Sequence, residues 1–168
     1  SPGQKNEALT FMAEELIKAK EEIIKANEID RQNAIKKGIT DALLDRLSLD
    51  DSRIEAMAQG LLDIVKLQEP VGEVTNMWQM PNGLQIGQKR VPIGVLGIIY
   101  ESRPNVTSDA AGLCLKSGNA VILRGASDAI NSNKAVAKAL VAGIKRRGLP
   151  QDCVQLLEDT SREPAREM

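Results

Sequence analysis

Histidine is missing from all 168 residues, and that absence removes several chemistries at once. No imidazole base, no Ser-His-Asp relay and no ordinary zinc site can be assembled within this chain. Acid–base work falls to Asp, Glu, Lys, Tyr, a thiol or water. Aromatics are scarce at 2%, with one Trp, one Tyr and one Phe, so the stacking platforms of single-strand nucleic-acid binders are lacking. Charge of one sign is lacking too. The 22 basic and 23 acidic residues leave a net charge of -1, which offers no electrostatic attraction to nucleic acid or an anionic membrane. No apolar run approaches a membrane span, and the opening SPGQKNEA lacks the apolar core of a secretory signal. The two cysteines, Cys114 and Cys153, lie far apart without a CxxC arrangement, which predicts reduced thiols in a cytoplasmic protein. Neither reads as a nucleophile. Cys114 falls on the apolar face of a helix and Cys153 opens an apolar strand, whereas a reactive thiolate needs an electropositive, partly exposed setting.

What is present is ordinary for a globular chain: 42% hydrophobic and 27% charged residues, enough for one compact domain or a substantial piece of a larger one. Leu9, Met12, Leu16, Ala19, Ile23 and Ala26 recur at spacings of three and four, which predicts a helix with one apolar stripe and a solvated Lys/Glu face. Gly38 is its expected stop, and Thr40 is the expected cap of a short helix through Ala42, Leu43 and Leu44. Ser48 with Asp51 resembles a capping box that opens a helix carrying Ile54, Met57, Ala58, Leu61, Leu62 and Val65, with Pro70 ending it. Segments 71–80 and 84–92 flank Pro81-Asn82-Gly83, where Asn-Gly supplies the positive φ angles of a hairpin turn. Trp78 on that hairpin is either a core or an interface anchor.

The period changes again after residue 92. Residues 93–100 form a nearly continuous apolar run, the pattern of a strand covered on both faces by helices. Thr107 or Ser108 is the expected cap of a helix through Ala110, Ala111, Leu113, Cys114 and Leu115, stopped at Gly118. AVILR at 120–124 is a second strand, Asn131 or Ser132 begins a helix stopped at Gly148, and CVQLL at 153–157 is a third strand. Strand, helix, strand, helix, strand of this length implies parallel pairing with right-handed crossovers, hence an α/β fold with half of a Rossmann-like parallel sheet. The expected organisation is a helical segment over residues 1–69, a β-hairpin over 70–92 and half of a nucleotide-binding α/β unit over 93–168. Such a half sheet leaves a raw edge after its third strand, and exposed edges are liabilities. The expectation is therefore that the chain is the N-terminal part of something longer, or that a swapped assembly covers the edge.

Two loops carry the candidate chemistry. YESRPN at 100–105 leaves the first strand of the sheet, where open α/β sheets bind their ligands. RGASD at 124–128 leaves the second. There, Arg124 and Asp128 read either as a phosphate or ribose contact with a hydroxyl ligand, or as an ordinary turn and helix cap. No GxGxxG follows a strand and no GxxxxGK[ST] occurs anywhere, so a dinucleotide would be held without the familiar glycine fingerprint.

The stretch VPIGVLGIIYESRPNVTSDAAGLCLKSGNAVILRGASDAINSN, residues 91–133, closely resembles the gamma-glutamyl phosphate reductases. These are the glutamate-5-semialdehyde dehydrogenases of proline biosynthesis, in the aldehyde dehydrogenase superfamily. PIGV, YESRPN, KSGNAVILRG and SN in that order carry the likeness, with AN-x-x-D at 26–30, PNG at 81–83 and GLP at 148–150 beside them. The resemblance implies helices packed on an aldehyde dehydrogenase-like cofactor domain, a hairpin used in homo-oligomer formation and a separate catalytic domain. It implies reduction of L-glutamyl 5-phosphate by NADPH through a cysteine thioester, with release of phosphate. It places Asn105 on the superfamily's oxyanion-stabilising asparagine, a donor whose loss typically costs about 10²–10³ in rate. Arg124 falls on a basic residue near the adenosine ribose, where an Arg fits a 2′-phosphate, and Asp128 falls near an acidic ribose ligand. Tyr100, Glu101 and Ser102 would line the cofactor through their backbone. Arg103 is read as a contact for a substrate anion, from its chemistry and not from the family.

The family's nucleophilic cysteine has no matching position among these residues, so the chain by itself is expected to be inactive. Two other readings stand beside this one: another acylating, CoA-dependent aldehyde dehydrogenase, and a non-catalytic binding or assembly module. The partners expected are a small-molecule substrate, with no nucleic acid and no membrane. No metal site is expected.

Overall fold

A computed structural model describes residues 1–161 and 163–167. The first apolar stripe is split between two helices, α1 (Pro2–Lys18) and α2 (Lys20–Lys36), which meet at Ala19. Leu9, Met12 and Leu16 on α1 and Ile23 on α2 are fully buried, so the stripe stays on the core side across the joint. It continues along α2 through Asn27, Asp30 and Ala34, where two polar side chains take apolar-stripe positions. Gly38, at φ +70, follows α2 in the left-handed conformation that glycine tolerates.

α3 (Asp41–Leu47) and α4 (Asp51–Lys66) follow as expected, but their caps differ. Thr40 precedes α3 without a side-chain cap bond, and α4 is opened by Asp50, whose carboxylate accepts from the Arg53 amide at 2.8 Å. The Ser48–Asp51 capping box is not formed. Ser48 Oγ donates backwards to the Leu44 carbonyl instead, at 2.7 Å, beside the bond that its own amide gives the same oxygen at 3.0 Å. The hairpin pairs β1 (Val74–Gln79) with β2 (Gln85–Lys89) in antiparallel register. Only Gly83 takes positive φ in its turn. Asn82 keeps ordinary backbone angles, and its side chain accepts from the Leu84 amide at 3.1 Å. Trp78 is 43% exposed and takes no part in the core.

The sheet is parallel, in the order β3 (Val95–Ile99), β4 (Ala120–Arg124), β5 (Val154–Leu156). α5 (Asn105–Lys116) and α6 (Ile130–Arg146) make the crossovers, and α7 (Glu163–Glu167) follows. α5 starts earlier than expected. Thr107 and Ser108 are buried in its first turn and do not cap it. α6 likewise begins without a cap from Asn131 or Ser132.

Among the described residues, helices pack on one face of the strands only. Leu96, Ile98, Val121, Leu123 and Val154 belong to the core with α1, α4, α5 and α6, whereas Val95 and Ile99 are 63% and 55% exposed on the opposite side. The reason is topological. Two right-handed crossovers that step the same way across a sheet place both helices on the same face. One hydrophobic core therefore runs from Ala8 to Val154, joining the early helices to the sheet.

Close contact between α1 and α6 depends on Gly143. A Cβ on Gly143 of α6 would lie 2.4 Å from the Met12 amide nitrogen and 2.5 Å from its Cα, both backbone atoms that cannot turn aside. Gly143→Ala is therefore expected to destabilise the protein by about 1–3 kcal/mol, seen as a lower midpoint in urea unfolding. An unchanged midpoint would show that α1 and α6 can separate at no cost.

Candidate functional site

Both candidate loops lie at the carboxyl end of the sheet, and hydrogen bonds fix their relation. The Tyr100 amide donates to the Arg124 carbonyl at 3.0 Å, extending the β3–β4 ladder by one step. Beneath that step the Tyr100 hydroxyl meets Thr107 Oγ1 at 2.7 Å, and Thr107 Oγ1 donates to Asn133 Oδ1 at 3.2 Å. Tyr100 leaves β3, Thr107 belongs to α5 and Asn133 to α6, so one chain of polar contacts joins three elements under the loops. Burial pushes the Tyr100 phenol above its ordinary pKa, keeping it a neutral hydroxyl. Gly125 sits directly on this network. A Cβ there would fall 2.1 Å from Asn133 Nδ2 and 3.2 Å from the Tyr100 ring.

A second buried network holds the start of α6. Asp30 of α2, 2% exposed, accepts at Oδ2 from the Ser132 amide at 2.7 Å and the Ser132 hydroxyl at 2.6 Å. Its Oδ1 accepts from the Asn131 side chain at 2.7 Å and the Asn131 amide at 3.3 Å. A carboxylate against these amides complements the helix dipole, so a residue a hundred positions away does what Asn131 and Ser132 were expected to do. Asn27 adds bonds to the Leu47 carbonyl, the Leu49 amide and Ser132 Oγ, tying the α3–α4 connection to α6.

Asn105, the first residue of α5, lines a cleft of about 430 Å³. One wall is the α3–α4 connection with Asp45, Arg46 and Arg53; the other is Arg103, Asn105 and Asp109. Asn105 Nδ2 donates to Asp109 Oδ2 at 3.2 Å, one helical turn on. That uses one of its two amide hydrogens and leaves the other for a ligand oxygen. Arg53 is committed to its own wall, with Nη2 on Asp45 Oδ1 at 2.6 Å and Nη1 on the Asp45 and Ser48 carbonyls.

Arg124 is not on this cleft. Its Nη2 donates to the Thr160 and Ser161 carbonyls at 2.7 and 3.1 Å, while its Nε is buried with no partner. Loops at the ends of neighbouring parallel strands lead to the expectation that Asn105 and Arg124 converge on a shared hollow, and the structure corrects it: the tips are neighbours, but only Asn105 lines the cleft. Asn105 leads into a helix on the covered face, whereas Arg124 alternates with the buried Leu123 and points the other way. Asp128 pairs with Lys37 Nζ at 2.6 Å. Glu101 is exposed and accepts from the Arg103 amide through its carbonyl at 2.8 Å, and Ser102 is half-buried between them. Among the described residues no group of His, Cys, Asp or Glu could hold a metal. No described helix is long and apolar enough to cross a membrane. Burial pushes both thiols above their ordinary pKa, with Asp152 adding to the rise at Cys153, so neither is a ready thiolate.

Sequence reasoning missed Asp109, Arg46, Arg53, Asp30 and the Tyr100–Thr107–Asn133 chain. Only Asp30 left a signal, a carboxylate at an apolar-stripe position. The others needed contacts between distant segments.

Desolvation raises the Asp109 carboxyl above the ordinary aspartate pKa, opposed in part by the bond from Asn105. The other charged residues on its cleft are Asp45, Arg46, Arg53 and Arg103. A raised folded pKa means that stability is full below the ordinary aspartate value and is lost as pH rises through the folded one. Asp109→Asn is accordingly expected to raise the melting temperature by roughly 1–3 °C at pH 7, and to lose that gain below the ordinary aspartate range. A melting curve insensitive to the substitution at every pH would refute the assignment.

No protein-family model matches the chain. It is 69% identical over 168 residues to the gamma-glutamyl phosphate reductase of Clostridium beijerinckii, covering 100% of this chain and 41% of that protein. The gamma-glutamyl phosphate reductase of Clostridium botulinum is 62% identical over 165 residues, covering 98% of this chain and 40% of that one. Among solved structures, the gamma-glutamyl phosphate reductase of Thermotoga maritima superposes with a TM-score of 0.96 at 45% identity, over 100% of this chain and 41% of that chain. The enzyme of the same name from Saccharomyces cerevisiae gives 0.90 at 34%, over 97% and 42%. A probable aldehyde dehydrogenase from Listeria monocytogenes, at 0.70 and 14% over 98% and 34%, shares the fold alone. The chain thus spans about two fifths of the length of the curated relatives it matches.

Proposed function

We propose, from a chain that belongs with the gamma-glutamyl phosphate reductases over the 41% of their length it matches, that it supplies the oxyanion donor and part of the cofactor site of such an enzyme. The reaction is reduction of L-glutamyl 5-phosphate to L-glutamate 5-semialdehyde with release of phosphate, a step of proline biosynthesis in the cytoplasm. The observation that carries this reading is Asn105 at the mouth of the cleft, with its amide braced by Asp109 and one donor left uncommitted.

In this role Asn105 meets the acyl oxygen of the substrate, where negative charge develops as a nucleophile adds. A preorganised amide stabilises that charge without having to reorient. Arg103, on the same wall, takes a substrate anion. Cys114 and Cys153, both held as thiols by burial, do not supply the nucleophile.

The residues at the end of β4 suit a phosphate-bearing nucleotide. Arg124 carries a guanidinium fixed through Nη2 by the Thr160 and Ser161 carbonyls, with no described partner on Nη1, and a guanidinium suits phosphate. The cofactor read here is NADPH, which when bound supplies the hydride. Lys37 neutralises Asp128, and this weakens the competing reading of Asp128 as a ribose ligand that would favour NADH. Tyr100, Glu101 and Ser102 offer backbone groups beside it. The hairpin, with Met77 63% and Leu84 57% exposed, is read as the homo-oligomer contact.

In an enzyme of the relatives' full length carrying this sequence, Asn105→Ala is expected to lower kcat about 10²–10³-fold. Phosphate-dependent oxidation of the semialdehyde measures it, and a loss under threefold would remove Asn105 from the reaction. Arg124→Ala is expected to raise the KM for NADPH at least about tenfold more than that for NADH. Equal changes for the two cofactors would overturn the 2′-phosphate role.

A further inference from the structure

Asp109 is a carboxylate without a cation. Its only described donor is the neutral Asn105 amide, which occupies Oδ2. Its other oxygen, Oδ1, faces the α4 wall near Gly60, 3.8 Å from where a Cβ on that glycine would stand. No described lysine or arginine bonds to it. Across the cleft the situation is reversed. Arg53 is spent on Asp45 and two carbonyls, while Arg46 has no carboxylate partner among the described residues. One cleft therefore presents an unmatched negative group on α5, unmatched positive groups at Arg46 of α3 and at Arg103 before α5, and the Asn105 amide beside the first. A half-buried carboxylate that lacks an internal counter-charge is costly to keep, and a cationic ligand would offset that cost.

We propose that this cleft reads the amino-acid end of the substrate: Asp109 accepts hydrogen bonds from an α-ammonium group and Arg46 donates to the α-carboxylate. The assignment rests on the reductase reading above and adds specificity to it. A ligand with an ammonium, a carboxylate and an electrophilic carbonyl fills three of the four unmatched positions together. An acyl phosphate or aldehyde lacking either charge leaves a polar side chain unpaired, which is the strongest source of discrimination a site of this kind can have. Arg103, nearer to Asn105 in sequence, stays with the anion at the reacting end.

The test uses an enzyme of the relatives' full length carrying this sequence, assayed for phosphate-dependent oxidation with NADP⁺. Three aldehydes are compared: glutamate 5-semialdehyde, 5-oxopentanoate, which lacks the ammonium, and 4-aminobutanal, which lacks the carboxylate. The unsubstituted enzyme is expected to favour glutamate 5-semialdehyde in kcat/KM by at least about tenfold over each of the others. Asp109→Asn is expected to lower kcat/KM for glutamate 5-semialdehyde at least about tenfold more than that for 5-oxopentanoate, beyond any loss the two share through the Asn105 brace, so that discrimination collapses. Arg46→Ala is expected to do the same relative to 4-aminobutanal, with Arg46→Lys restoring part of the preference. Equal losses on both aldehydes in the Asp109→Asn enzyme would mean that Asp109 acts only by holding Asn105, and would overturn this assignment alone. An unsubstituted, folded enzyme that oxidises none of the three would overturn the reductase reading and this assignment with it.

Discussion

Two right-handed crossovers that advance in the same direction must leave their helices on one face of the sheet. That constraint governs the architecture of this chain. α5 and α6 lie together against β3, β4 and β5, and α1 and α4 complete the same layer, so one core serves them all. The opposite face keeps Val95 and Ile99 exposed. Residues that alternate along a strand are thereby sorted into two environments, and so are the functional candidates at the strand ends. Asn105 opens a helix in the covered layer and looks onto a cleft made with α3 and α4. Arg124, one residue beyond the buried Leu123, lies on the open side and rests against Thr160 and Ser161.

Polar joints then hold the loops in place within that layer. Asp30 and Asn27 reach from α2 to the first turn of α6, and Tyr100, Thr107 and Asn133 connect the end of β3 to α5 and α6. Each joint sits in low-dielectric surroundings, where a satisfied hydrogen bond is strong and an unsatisfied one is expensive. They therefore specify geometry more sharply than apolar packing could. Gly125 belongs to the same arrangement, since its missing side chain is what lets Asn133 occupy the space under the loop.

The cleft itself is electrostatically incomplete. Its wall from α3 and α4 satisfies Arg53 internally, while Asp109 and Arg46 are left without opposite charges from the described protein. The raised Asp109 pKa and its single neutral donor are two expressions of this state. Such imbalance costs some stability, which a ligand of complementary charge would offset.

By itself the sequence determined the α/β class and the order of the hairpin, strands and helices apart from the α1–α2 break and α7, because apolar spacing of two or of three and four reports secondary structure directly. It determined, too, that no histidine chemistry is available and that residues 91–133 carry the likeness to the reductases. The capping of α4 and α6 was less legible, since Asp50 competed with Ser48 next to it and Asp30 lies far from α6 in sequence. Only the tertiary structure decided that α5 and α6 share one face of the sheet, that Asn105 and Arg124 look in different directions, and that Asp109 and Arg46 share a cleft. Local periodicity encodes which side of an element is apolar. Which elements meet on that side is set by chain crossings and long-range packing, and neither leaves a mark on any short stretch of residues.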